Sequence, residues 1–101
     1  MKFDNIATHF MSLPISDRLI EDHSHLLPAS LVNAATKRKN EFIAGRYCAI
    51  EAAKKIGFTI STIERSKDNA PIWPEGLVGS ISHSKQMVYA VVGKQDRKSV
   101  V

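Results

Sequence analysis

The sequence predicts an α+β fold, with one long helix packed on a small antiparallel sheet, and three stretches carry that expectation. Between Ser30 and Ile56 the residues Leu31, Ala34, Ala35, Phe42, Ala49, Ala53 and Ile56 recur at helical spacing, and no proline interrupts them. After Gly57 the period changes. Phe58 to Ile63 is rich in β-branched residues and partly alternates, as a strand does. Leu77 to Ser82 and Met87 to Val92 are two further apolar runs joined by the polar His83 to Gln86, which reads as an antiparallel hairpin.

The helix has recognisable ends. Pro28 lies just ahead of it, Ser30 is placed to cap it, and Lys54 and Lys55 sit where the helix dipole favours cations. Gly57 supplies the stop. The pattern fits either one continuous helix or two that break near Ala35 and Thr36. Residues 1–29 carry Pro14, Pro28 and only short apolar runs, which predicts an irregular lead-in with one short helix around Asp17 to Asp22. A polar loop from Ser66 to Asn69 leads to Pro71 and to Trp73-Pro74, where proline opposes helix. Ser99 to Val101 is expected to enter another strand. There is no internal repeat and no low-complexity tract.

With 101 residues the chain makes one small domain. Its 44% hydrophobic and 24% charged content is ordinary for a globular protein, and no run approaches the ~18 apolar residues that a membrane span requires. The N-terminus has Asp4 and no unbroken apolar core, so it does not read as a secretory signal, and a cytoplasmic location is expected. Cys48 is the single cysteine, which excludes a disulfide framework and a CxxC motif and reads as a small core residue. Fourteen Lys and Arg against ten Asp and Glu give a net charge of +4, an excess that suits an anionic ligand without specifying one.

Two constellations are able to carry chemistry. Lys37-Arg38-Lys39 and Arg46 fall on the long helix, with positions 39 and 46 on one face, and Gly45 clears space beside Arg46. This suits phosphate, and it also suits a solvated face with a packing glycine. The second is Gly79-Ser80-Ile81-Ser82-His83-Ser84, where hydroxyls, turn amides and an imidazole each offer a donor to an anion. A plain hairpin turn has the same composition. A Ser-His nucleophile pair lacks an orienting acid and the glycines of a nucleophile elbow. His23 and His25 have the spacing to begin a metal site but no further ligand cluster follows, and Trp73 reads as a core anchor.

Taken together, KRKNEFIAGRYCAIEAAKKIGF, APIWPEGLVGSISHS and the strand pair resemble the N-terminal half of a 4′-phosphopantetheinyl transferase. The resemblance is to the surfactin-synthetase type, in the branch of enterobactin synthetase component D, and spans about Lys37 to Val92. It implies residues 30–101 as the N-terminal subdomain of that fold, with the C-terminal subdomain absent. The implied activity moves the phosphopantetheine arm of coenzyme A to a serine of an apo acyl-, peptidyl- or aryl-carrier protein, of the siderophore or non-ribosomal-peptide kind, with Mg²⁺. Arg38, Lys39 and Arg46 are implied near the coenzyme A phosphates, with Ser82 and His83 reaching them from the sheet.

Two departures qualify what is implied. Family members often carry a basic residue just before the proline of the Trp-Pro segment, where this chain has Asp68-Asn69-Ala70-Pro71, so that contact is absent or falls to Lys67. The family's metal-binding Asp-x-Glu motif follows the next strand, and the sequence stops short of it, as it does of the later Trp-x-x-Lys-Glu segment. No catalytic or metal-binding residue is therefore expected in this chain, and transfer is expected to need a second polypeptide or a second copy. Two other readings stand beside it: a non-catalytic module that binds coenzyme A or a nucleotide phosphate, and a small nucleic-acid-binding protein, disfavoured by the slight charge excess and the lack of a known motif.

Overall fold

The computed structural model describes residues 6–68 and 70–94. Helix α2, Thr36–Lys55, lies across one face of a three-stranded antiparallel sheet. The sheet has the order β1–β5–β4, formed by Ile6–Ser12, Met87–Lys94 and Leu77–His83. Short helix α1, Asp17–Asp22, is capped by the Ser16 hydroxyl, which accepts from the Leu19 amide. Two-residue strands β2, Glu64–Arg65, and β3, Pro71–Ile72, pair with one another.

The predicted helix resolves into the broken alternative. Ala29–Leu31 is a 3-10 turn, and α2 begins only at Thr36, so Ala35 rather than Ser30 occupies the cap position. At the other end the expected stop holds. Gly57 has φ +91°, its amide donates to the Lys54 carbonyl, and the Phe58 amide donates to the Ala53 carbonyl. These two bonds close the helix end with the reach of a Schellman motif.

The hairpin of β4 and β5 forms as expected, with His83 paired to Val88 and the Ser84 amide donating to the Met87 carbonyl to close the turn. Two expectations are corrected. Phe58 to Ile63 is not a strand: Phe58 is drawn into the helix terminus, while Ile60 and Ile63 pack into the core from irregular backbone. Its place in the sheet is taken by residues 6–12, which were expected to be irregular and instead pair with β5 from Ile6↔Gly93 to Ser12↔Met87. Their period was hidden because the outward positions Ile6 and Phe10 are as apolar as the inward Ala7 and Met11, and His9 faces inward against Tyr47. The strand expected over 99–101 lies outside the described residues.

The core sits between α2 and the inner sheet face. Ile43, Ala44, Cys48, Ala49, Ala52 and Ala53 of α2 are fully buried, against Val88, Ala90 and Val92 of β5. Most of the helix contributions are alanines, so the backbone lies close to the sheet. Trp73 fills the remaining edge, where its indole ring would meet a methyl group placed on Gly79. No described helix is long and apolar enough to cross a membrane.

One buried polar residue ties the N-terminal segment to α2. Asn40, 5% exposed, accepts from the Ile15 amide at 3.0 Å through Oδ1 and donates to the Thr36 carbonyl at 2.9 Å through Nδ2. Truncation leaves the buried Ile15 amide without this acceptor, which costs about 1–3 kcal/mol. Asn40→Ala is therefore expected to lower the urea midpoint with an unchanged slope, whereas exposed Lys37→Ala does not lower it. Burial, helped by the nearby Glu51 charge, pushes the Cys48 thiol up to about 11 from 9.0. A thiol held neutral by folding contributes stability that is complete below its unfolded pKa and lost as pH rises toward the folded one. Stability is thus expected to fall between pH 9.0 and about 11 in the native chain, and a Cys48→Ala variant is expected to lack that component.

Candidate functional site

The first turn of α2 is electrostatically unfavourable as it stands. Thr36-Lys37-Arg38-Lys39 places three cations at the helix end where the dipole is already positive, with no acidic residue in that turn and no side-chain cap. About two turns further on, the helix passes so close to β4 that a Cβ on Gly45 would lie 2.8 Å from the Ile81 Cγ2. This glycine is required by proximity, and the next residue, Arg46, is consequently carried into the groove between helix and sheet.

That groove is a cleft of ≈140 Å³ lined on the helix side by Arg38, Glu41, Phe42 and Arg46. Its far wall is Ile81 and His83 of β4, with Pro71 of β3 at the rim. Arg46 is only 5% exposed, and its guanidinium carbon lies 4.3 Å from the Phe42 ring centroid, a cation–π stack. Burial, reinforced by the charges of Arg65 and Arg38, lowers the Arg46 pKa from its ordinary value. An arginine nonetheless stays charged in proteins, so this cleft holds a desolvated cation with two like charges pressing on it. Glu41 also faces the cleft, with Oε2 3.8 Å from His83 Nδ1, beyond hydrogen-bond distance.

Of the residues singled out in the sequence, Arg38, Arg46 and His83 meet in this cleft. Lys39 and Lys67 are not among its lining residues, and Lys67 sits on the exposed turn that the Ser66 hydroxyl organises by accepting from the Asp68 and Ala70 amides. Ser82 lies on the opposite face of the sheet from Ile81, because it is the cross-strand partner of outward Tyr89, whereas Ile81 pairs with buried Ala90. Four contributors were not anticipated. Phe42 and Glu41 lie inside the motif at i+4 and i+3 from Arg38, a spacing from which their shared face is readable. Arg65 and Pro71 come from the β2–β3 ribbon and carry no local signal.

The His23-x-His25 pair is otherwise engaged. His23 Nδ1 donates to the Leu19 carbonyl at 3.0 Å, and His25 Nε2 is 3.3 Å from the Ser61 carbonyl. Among the described residues no three His, Cys, Asp or Glu side chains are grouped to hold a metal ion. They thus offer no fit for Mg²⁺.

A family model for the 4′-phosphopantetheinyl transferase N-terminal domain matches residues 27–93. The 4′-phosphopantetheinyl transferase PptT of Mycobacterium tuberculosis is 38% identical over 66 residues, covering 65% of this chain and 29% of that protein. Enterobactin synthase component D of Salmonella typhimurium is 41% identical over 66 residues, covering 64% of this chain and 27% of that protein. The chain thus spans less than a third of the length of these relatives. Among solved structures, a holo-(acyl-carrier-protein) synthase from Bacillus anthracis in complex with coenzyme A (3′,5′-ADP) superposes with a TM-score of 0.61 at 25% identity, covering 91% of this chain and 96% of that one.

The Gly45–Ile81 approach gives a direct test of how the cleft is built. Gly45→Ala is expected to cost about 1–3 kcal/mol, the usual range for overpacking. In an Ile81→Ala background, where the opposing methyl is gone, the same substitution should cost close to nothing. A double-mutant cycle by denaturant unfolding measures the difference, and equal costs in both backgrounds would refute the contact.

Proposed function

This chain belongs to the 4′-phosphopantetheinyl transferase family, and from that premise we propose that it supplies the part of the enzyme that holds the phosphates of coenzyme A. The observation that carries this reading is the cleft in which Arg46 is buried under the added charge of Arg38 and Arg65, with His83 opposite. A bound anion relieves that repulsion. The guanidinium forks of Arg38 and Arg46 match phosphate oxygens in pairs, and the imidazole of His83 donates from the sheet side.

In the proposed reaction a serine hydroxyl of an apo carrier protein attacks the β-phosphate of coenzyme A. The serine O–P bond forms as the bridging P–O bond breaks, the hydroxyl proton passes to a base, and adenosine 3′,5′-bisphosphate departs. Charge accumulates on the phosphoryl oxygens during this exchange, and preorganised cations stabilise it without reorganising at the moment of reaction. The task of this chain's residues is to bind and orient. Mg²⁺ in the complete enzyme supplies further stabilisation of that charge, and no step is assigned to it because the described residues offer no site for it. The carboxylates that hold it, and the base, come in this reading from a second polypeptide or a further part of the enzyme. The likeness to enterobactin synthase component D favours a siderophore or other non-ribosomal-peptide carrier protein as acceptor, in the cytoplasm.

Two measurements test the reading. Calorimetric titration of the 101-residue chain with adenosine 3′,5′-bisphosphate is expected to show saturable, salt-sensitive binding. A charged hydrogen bond is worth about 1.5–3 kcal/mol, so Arg46→Ala and Arg38→Ala should each weaken binding by roughly 10- to 100-fold. Absence of binding, or indifference to both substitutions, removes the phosphate assignment. A transfer assay with coenzyme A, Mg²⁺ and apo carrier protein is expected to show no turnover by this chain by itself. Turnover would overturn the division of labour.

A further inference from the structure

Glu41 is an acid in a cleft that otherwise gathers cations. Its side chain is only 13% exposed, and it lines the groove beside Arg38, Arg46 and His83, where a negative charge works against any phosphate that enters. Its neighbour supplies a reason for it. The carboxylate Oε2 lies 3.8 Å from His83 Nδ1, too long for a hydrogen bond and short enough for the charge to act on the ring.

A neutral imidazole carries one proton, and the nitrogen that holds it is a donor while the other is a bare acceptor. Beside a carboxylate the proton is favoured on Nδ1, because the other tautomer sets a lone pair against a negative charge. The two ring nitrogens point apart, so the one left for an anion is Nε2, and in this tautomer Nε2 has no proton to give. A bare Nε2 repels a phosphate oxygen. Only the imidazolium donates from both nitrogens at once, with Nδ1–H toward Glu41 and Nε2–H toward the anion. The cations around the pair oppose that second proton while the cleft is empty: Arg38 and Arg46 line it with His83, the charge of Arg65 bears on Arg46 from β2, and Lys37 and Lys85 share a neighbouring hollow with Glu41. An arriving anion reverses that balance.

We propose that Glu41 is a positioning residue: its carboxylate holds the proton of neutral His83 on Nδ1, so that His83 donates to a bound anion from Nε2 only after taking up a second proton. Anion and proton are then bound together. The inference rests on the phosphate reading of the cleft and adds to it the protonation state in which the site works. The proton passes from solvent to Nε2 and returns to solvent when the anion leaves. Because the protonated ring is the form that binds, its contribution is complete at low pH and is lost as pH rises, the direction expected of a histidine that gains a partner. One proton per anion sets a limiting slope of about tenfold in affinity per pH unit.

Nitrogen-15 NMR of the imidazole rings in the 101-residue chain tests this, with inorganic sulfate as the probe. Sulfate has no titratable proton in this range, so a proton taken up belongs to the protein. The chain has four histidines, and a His83→Asn variant identifies the His83 signals by their loss. At about pH 7.5 the free chain is expected to hold His83 as the neutral Nδ1–H tautomer, and added sulfate is expected to shift it toward the imidazolium. Glu41→Gln keeps the shape and offers an amide N–H to Nδ1; it is expected to move the proton to Nε2 and to flatten the pH dependence of sulfate affinity between about pH 6 and 8. Circular dichroism checks that this variant folds. A variant that binds sulfate more tightly by one factor at every pH, with the slope unchanged, reduces Glu41 to simple repulsion and overturns the proposal. An Nε2–H tautomer in the free native chain, read with no ligand present, overturns it as well. Sulfate binding without protonation of His83 overturns this inference and leaves the phosphate reading standing, whereas no binding of sulfate or of adenosine 3′,5′-bisphosphate overturns both.

Discussion

The close approach of α2 to the sheet at Gly45 is the constraint on which the rest of the structure depends. A methyl group at this position would meet the Ile81 side chain at 2.8 Å, and the run of fully buried alanines that follows keeps the helix at the same short distance to its end. A helix held this close cannot bury a long side chain between itself and β4, so Arg46 emerges sideways into the groove and stacks on Phe42. Packing, not electrostatics, decides where the charge goes. The electrostatic consequence is that a guanidinium stripped of most of its water shares its surroundings with Arg38 and Arg65.

The same balance runs through the first turn of α2. A helix selected only for stability would carry acids there, and this one carries Lys37, Arg38 and Lys39 without a side-chain cap. Each placement costs a few tenths of a kcal/mol or more in the free chain. The helix is held in spite of this by tertiary contacts: the alanine-lined face on β5 and the Asn40 bonds that fasten it to the segment ahead. Function is the usual reason for a local rule to be broken where the surrounding packing is strong enough to tolerate it.

How much of this was legible in the sequence depended on whether a residue's role was local. Helical spacing, the Gly57 terminus and the β4–β5 hairpin all rest on short-range pattern, and they appear in the structure as expected. The meeting of Arg38, Arg46 and His83 was legible as two separate basic or polar stretches, and was joined by a family resemblance rather than by spacing. The misread pieces are those in which a distant partner decides. Residues 6–12 become a strand because β5 offers an edge, while the β-branched stretch 58–63 finds no edge and remains irregular. The charge of Arg65 bears on Arg46 through the β2–β3 ribbon, which no local pattern in the sequence announces.

Strand β4 shows what a two-residue period means for the history of such a chain. Its odd positions, Leu77, Gly79, Ile81 and His83, look toward the helix and the cleft, while Val78, Ser80 and Ser82 look away from them. Neighbouring positions therefore serve different surfaces. Drift at the even sites can remodel what the domain sits against while the grip on an anion is preserved, and the converse holds for the odd sites. A single strand of this kind lets a lineage change its quaternary habits without relearning its chemistry.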